Sequence, residues 1–175
     1  MDLKLVKSPD DWLSKKVDPF NFNFLNAVEV EKQMIELMLQ EGGLGLSANQ
    51  VSINAQIFVI KPYLLGKDAK PFAMINPEIR RISEELELMP EGCLSHPGLY
   101  LTVKRPKNIV VKYLDTSANE CIIELYDIDA RCALHEFDHL NGIEFTYDDW
   151  NEIMKGKEGL PWYKKPAAKG QNHRN

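Results

Sequence analysis

The sequence has little of what marks export, membrane insertion or disulfide scaffolding. No apolar run in its 175 residues approaches the roughly 18 residues that cross a bilayer. The start, Met1-Asp2-Leu3-Lys4-Leu5, lacks a basic stretch followed by an apolar one. No secretory signal is read, and a cytoplasmic location is expected. Cysteine is scarce: Cys93, Cys121 and Cys132 are the only three. An odd number in a reducing compartment argues against a disulfide framework. Each cysteine is then a buried apolar filler, a metal ligand or a nucleophile, and filler is the commonest fate of a lone one. Internal repeats are also missing, and the length suits one domain with a real core.

What is present is an ordinary globular composition, 44% hydrophobic and 27% charged, with an uneven charge distribution. Residues 155–175 hold six basic residues against one acid, a local charge of +5, and the remaining body sums to −10. An acidic body with a basic tail is compatible with contact to RNA, and equally with a solvated, flexible terminus. The tail also holds Gly156, Gly159, Pro161, Pro166 and Gly170 and shows no sustained period. It is read as separate from a catalytic domain over 1–154.

Asn26 followed three residues later by Glu29 is a helix start. Val30, Met34, Leu37 and Met38 then share one helical face, and Gly42-Gly43 ends it, with a loop expected through Gln50. Gln56–Ile60 and Phe72–Ile75 read as strands, the second closing at Asn76-Pro77. Asn108–Tyr113 and Cys121–Tyr126 form a predicted hairpin. A second helix is expected from near Asp127 or Asp129 to Leu140, with Asn141-Gly142 as its stop. It is apolar almost all round, so it is a buried helix. Strands between two helices with hairpin-length connections point to an α+β fold. Mostly antiparallel strands are expected around this buried, metal-binding helix in a single domain.

Three segments carry chemistry. In His135-Glu136-Phe137-Asp138-His139 the histidines lie at i and i+4 on one helical face, so both rings reach one metal ion. On a buried helix such polar groups need partners, which favours a metal site over a surface pattern. Two protein ligands are too few for a catalytic site, so a third comes from elsewhere. Glu144 or Glu152 would serve in a thermolysin-like peptidase; the chain after His139 departs from the metzincin spacing. Cys93, within Glu91-Gly92-Cys93-Leu94-Ser95, is a soft alternative beside a glycine that lets backbone approach a ligand. Gly43-Leu44-Gly45-Leu46-Ser47-Ala48-Asn49-Gln50 offers glycines and an amide that could cradle a substrate backbone, or simply a helix end running into a turn.

Together and in this order, Gly43–Gln50, Glu91–Ser95 and His135–Leu140 resemble the three motifs of the peptide deformylase family. Those motifs are Gly-apolar-Gly-apolar-Ala-Ala-x-Gln, Glu-Gly-Cys-Leu-Ser and His-Glu-x-x-Asp-His-Leu. The resemblance includes the helix before Gly43 and Ile75-Asn76-Pro77, and covers roughly Leu3 to Asp148. Ser47 departs from it, standing where the family usually has alanine. The region after Asp149 lacks the long charged C-terminal helix of many bacterial members, as in the shortened phage and organelle forms.

The resemblance implies a hydrolase that removes the formyl group from N-terminal formyl-methionine of nascent polypeptides and releases formate. Cys93, His135 and His139 would bind one divalent metal, commonly Fe(II) in the family, with zinc, nickel or cobalt as substitutes. Glu136 would shuttle the proton; the Gln50 amide and the Leu94 backbone N–H would serve the oxyanion. The peptide would pair along Leu44 and Gly45, and Leu44, Met89, Ile128 and Cys132 would line the methionine pocket. Arg131 falls where the family often has an aliphatic residue, at the pocket rim. Asp138 orients a ligand or is an exposed acid. His96, His173 and Cys121 are read as structural. Neither a membrane nor a specific DNA is an implied partner, and ribosome contact through the tail stays open. The competing readings are a zinc peptidase of the His-Glu-x-x-His type, which has no need of Cys93, and a degenerate binding homologue. The second fits poorly with Glu136, Gln50 and all three ligands occurring together.

Overall fold

The computed structural model describes residues 2–66 and 68–145. Glu152, His173 and the tail expected over 155–175 lie outside these residues. Helix α1, Ala27–Gln40, starts where Asn26 accepts the Glu29 N–H at 3.1 Å. It buries Ala27, Val30, Met34 and Met38. It ends through Gly42 at φ +72°, a left-handed turn that glycine adopts without steric cost. The next segment is not all loop: Gly45–Ser47 pairs as strand β1, and Ala48–Val51 forms a short 3-10 turn. With no β-branched residue, β1 gives no strand signal; its pairing with β2 (Ile57–Ile60) makes it one.

Strand β3 runs from Phe72 to Ile82, well past the expected stop at Asn76-Pro77. Asn76 takes φ +47°, and the ladder to the strand opposite jumps from Ile75 to Glu78. Pro77 therefore sits in a bulge, where its missing N–H breaks no ladder bond. The Asn76 amide bridges both backbone groups of Phe20, accepting at 2.6 Å and donating at 3.1 Å, and so fixes the bulge. Strands β4 (Leu86–Cys93) and β5 (His96–Pro106) make a separate hairpin. Strands β6 (Asn108–Leu114) and β7 (Glu120–Tyr126) make the predicted one. Its turn is held by Asp115, which accepts from the Ser117 and Asn119 N–H groups. The main sheet has five antiparallel strands in the order β1-β2-β3-β6-β7.

Helix α2, Asp127–Leu140, packs against β1 and β2. Ala130, Ala133, Leu134, Phe137 and Leu140 join the core, with the Phe137 ring 5.5 Å from that of Phe58. Burying a side chain such as Leu134 or Phe137 contributes about 1.5–3 kcal/mol. The helix also buries a polar set, Asp129, Arg131, His135, Glu136, Asp138 and His139, while Asp127, Ile128 and Cys132 are half-buried. The α+β class, the antiparallel strands and the buried second helix agree with the sequence reading. Among the described residues no helix is long and apolar enough to cross a membrane.

Candidate active site

The polar face of α2 meets the tip of the β4–β5 hairpin. His135 and His139, one helical turn apart, bring their Nε2 atoms to 3.2 Å. Cys93, the last residue of β4, brings Sγ to 3.2 Å from His139 Nε2. These three atoms lie within 4.8 Å of one another. Glu91, two residues earlier on the same strand, faces His135 Nδ1 at 3.1 Å. That contact holds the Nδ1 proton, so the His135 Nε2 lone pair is left to face the other two donors. A thiol and two imidazoles converging this way suit a soft or borderline divalent cation. Burial works against a charge on His135, yet the Cys93 and Glu91 side chains hold its proton affinity well above that of free imidazole. Burial and the neighbouring His135 push His139 well below it. The site as built attracts positive charge, and His139 Nδ1 is buried with no hydrogen-bond partner in the structure. The residues present fit a metal ion.

A buried ion network carries Glu91. Arg105, on β5 and fully buried, donates to both Glu91 oxygens at 2.6 and 2.9 Å and to Asp138 at 2.7 Å. Arg131 adds a donor to Glu91 at 2.7 Å and also bonds the carbonyls of Val103 and Glu87. Burial would raise the Glu91 pKa, but Arg105 and His135 hold the carboxyl well below the usual range. Asp138, though paired to the same arginine, is shifted upward because burial dominates there. Asp138 is thus a buried structural acid, and the reading of it as exposed is corrected.

Glu136 points to the other side, towards β1. It is 4% exposed, and among the described residues its Oε2 has no hydrogen-bond partner. Burial lifts its pKa to about 7, against the charge of His135 and the Ser47 hydroxyl. Space for it exists only because residue 45 is glycine. A Cβ there would run into Glu136 Oε1 and come within 2.8 Å of Cys132 Sγ.

Gln50 sits in the 3-10 turn after β1, buried, with its amide pinned at both ends. Oε1 accepts from the Ser47 N–H and hydroxyl, both at 2.9 Å. Nε2 donates to Ser95 Oγ at 3.0 Å and faces Cys93 Sγ at 3.6 Å. Asn49, between them, donates to the His139 carbonyl at 2.5 Å and ties the loop to the end of α2.

All of this opens on a cleft of about 580 Å³, within the size range of small-ligand sites. Leu44, Gly45, Gln50, Cys93, Leu94, Ile128, Cys132, His135 and Glu136, all candidates from the sequence, line it. Two readings are corrected. Met89 does not line the cleft, whereas Arg131, bonded to the carbonyls of Glu87 and Val103, does. His96 was read as lying outside the site, yet it lines the cleft with Cys93 and His135 and is 8% exposed. Glu144, the peptidase-type ligand candidate, is not in the cluster.

A family model described as polypeptide deformylase matches residues 2–154. The chain belongs to the peptide deformylase family. It is a metal-dependent hydrolase that removes the N-formyl group from nascent polypeptides. The peptide deformylase of Borreliella burgdorferi is 36% identical over 97% of this chain and 100% of its own length. Peptide deformylase 1B of Arabidopsis thaliana, chloroplastic/mitochondrial, is 37% identical over 82% of this chain. The chain spans about half (52%) of that longer plant relative. The crystal structure of a probable peptide deformylase from Synechococcus phage S-SSM7 superposes with a TM-score of 0.76 at 35% identity. It covers 85% of this chain and 99% of the phage chain.

Arg105 escaped the sequence reading altogether, and Glu91 was quoted only as part of a motif. The one available signal was an alternation, Leu101-x-Val103-x-Arg105, that puts an arginine in the inward phase, where a buried charge demands a partner.

Proposed function

We propose that Cys93, His135 and His139 hold one divalent ion, Fe(II) in the cell and replaceable by zinc, nickel or cobalt, and that the cleft residues around them remove formyl groups. The observation that carries the reading is the convergence of Cys93 Sγ and two imidazole Nε2 atoms beside the unpartnered Oε2 of buried Glu136. Bound there, the ion supplies Lewis-acid chemistry, making water nucleophilic near neutral pH and polarising a carbonyl oxygen. Glu136 takes a proton from the attacking water and later gives it to the departing amine, so formate and a free N-terminus result. A carboxyl whose pKa is near 7 suits both halves of that task. The developing oxyanion is met by Gln50 Nε2 and the Leu94 backbone N–H. The peptide lies extended along Leu44 and Gly45, adding to the edge strand β1. Its methionine side chain enters beside Ile128 and Cys132.

The proposed partners are formyl-methionine N-termini in the cytoplasm, a compartment that keeps Cys93 reduced. The basic residues of 155–175 are proposed to strengthen contact with ribosomal RNA through phosphate charge. The test is formate release from formyl-Met-Ala-Ser by protein prepared without oxygen, with metal analysis alongside. Cys93→Ala is expected to lose metal and activity together. Stoichiometric metal retained by that variant would refute the ligand assignment and favour the peptidase reading.

A further inference from the structure

Ser47 is fully buried where β1 passes into the 3-10 turn. Its hydroxyl has a single proton, and three acceptors compete for it: Gln50 Oε1 at 2.9 Å, Asn49 Oδ1 at 3.1 Å, and the Glu136 carboxyl that it also stabilises. The proton serves one of them at a time. The backbone N–H of Ser47 also donates to Gln50 Oε1, at 2.9 Å. Both donors of one residue therefore grip the carbonyl end of the Gln50 amide. The two ends of an amide have nearly the same shape, so only hydrogen-bond partners decide which way it faces. A flipped amide would set its NH2 against the Ser47 N–H, which can only donate, and would forgo the bond the hydroxyl gives Oε1 in the observed pose. The observed one turns Nε2 to Ser95 Oγ and Cys93, at the wall of the cleft.

We propose that Ser47 is a positioning residue for deformylation, its hydroxyl holding the Gln50 amide with Nε2 turned into the cleft. The inference rests on the reading of Gln50 as oxyanion donor. An alanine at position 47 would keep the backbone donor and lose the hydroxyl, so the amide would be held by one donor where this chain uses two. The hydroxyl's other possible task is to steady Asn49, which donates to the His139 carbonyl. That task would show in metal affinity, whereas positioning of Gln50 shows in turnover.

The experiment compares wild type, Ser47→Ala, Gln50→Leu and the double variant as full-length, zinc-loaded protein. It reads kcat and KM on formyl-Met-Ala-Ser, zinc affinity by chelator competition, and the side-chain NH2 resonances. Ser47→Ala is expected to lower kcat by about 2- to 12-fold, the worth of one net hydrogen bond, with KM nearly unmoved and zinc affinity unchanged. In the Gln50→Leu background the same change has no further effect on kcat, since the group it positions is gone. The NH2 pair that vanishes in Gln50→Leu identifies Gln50, and in Ser47→Ala that pair broadens or exchanges faster. Multiplying kcat losses in the double variant, or a fall in zinc affinity without loss of kcat in Ser47→Ala, would overturn the inference alone. A Gln50→Leu enzyme with normal kcat would overturn the oxyanion reading and the inference with it.

Discussion

Replacing Arg105 by methionine tests whether the buried ion network sustains the site. The guanidinium makes three contacts of 2.6, 2.9 and 2.7 Å to two carboxylates. Methionine fills much of the same volume but carries no charge. Glu91 keeps Arg131 and His135 as neighbours, while both acids lose their shared cation. Breaking a buried pair by removing one partner costs about 3–5 kcal/mol. For a domain of this size each kcal/mol lowers Tm by about 2–4 °C, so a fall of about 6–20 °C is expected. A second effect reaches the metal. Glu91 orients His135 through Nδ1, and loss of such an outer partner weakens metal binding by about 10- to 100-fold. Thermal unfolding of metal-loaded protein and chelator competition measure the two effects. Adding Asp138→Asn to the variant should recover part of the lost Tm, because an amide leaves no uncompensated charge. A Tm within about 2 °C of wild type, less than 1 kcal/mol of change, together with unaltered metal affinity, would refute the reasoning.

Three further outcomes are expected. Glu136→Ala keeps its metal and fold but loses about 10²–10⁴ in turnover; loss of metal instead would make Glu136 a ligand. Gly45→Ala drives a methyl group into Glu136 and Cys132. It should cost about 1–3 kcal/mol in urea unfolding and a turnover loss approaching that of removing the base, and near-normal kinetics would show that both side chains yield freely. A chain ended after Met154 should deformylate short peptides at the full rate while binding ribosomes less tightly in a salt-dependent way; a large drop with short peptides would mean that the tail packs on the catalytic domain.

Helix α1 could be read because its signals are local: a capping Asn26, a 3.6-residue apolar period and a Gly42 stop. Helix α2 and its paired histidines were legible for the same reason. The β6–β7 hairpin was marked by β-branched runs flanking the Asp115 turn. The β4–β5 hairpin had no counterpart in the sequence reading, since Pro90, Gly92, Pro97 and Gly98 interrupt any alternation, and it is held by pairing with itself along its whole length. Within the site, the paired histidines and Glu136 were legible from residue type and spacing, while Cys93 joined them through the family resemblance. The support behind them was not. Arg105 meets Glu91 across 14 positions and Asp138 across 33, and nothing local to any of the three announces the others. The presence of Arg131 and absence of Met89 in the cleft lining likewise depend on tertiary placement.

The placement of His139 in the last turn of α2, with Asp127 and Asp129 in its first, has an electrostatic consequence. Peptide dipoles sum along a helix to roughly half a positive charge at the start and half a negative charge at the end. The two acids sit at the positive end, and the proposed metal ligands gather towards the negative one. Several of the closing carbonyls are already engaged, that of Phe137 by the Asn141 side chain and that of His139 by Asn49. The end of the rod thus stays wound and aimed at the ion. A cation held there is attracted by the backbone as well as by its three donors, and in return it favours the final turn that presents one of them. An ion bound at the proposed site and the helix would stabilise each other, so part of the free energy of metal binding would go into keeping this segment helical.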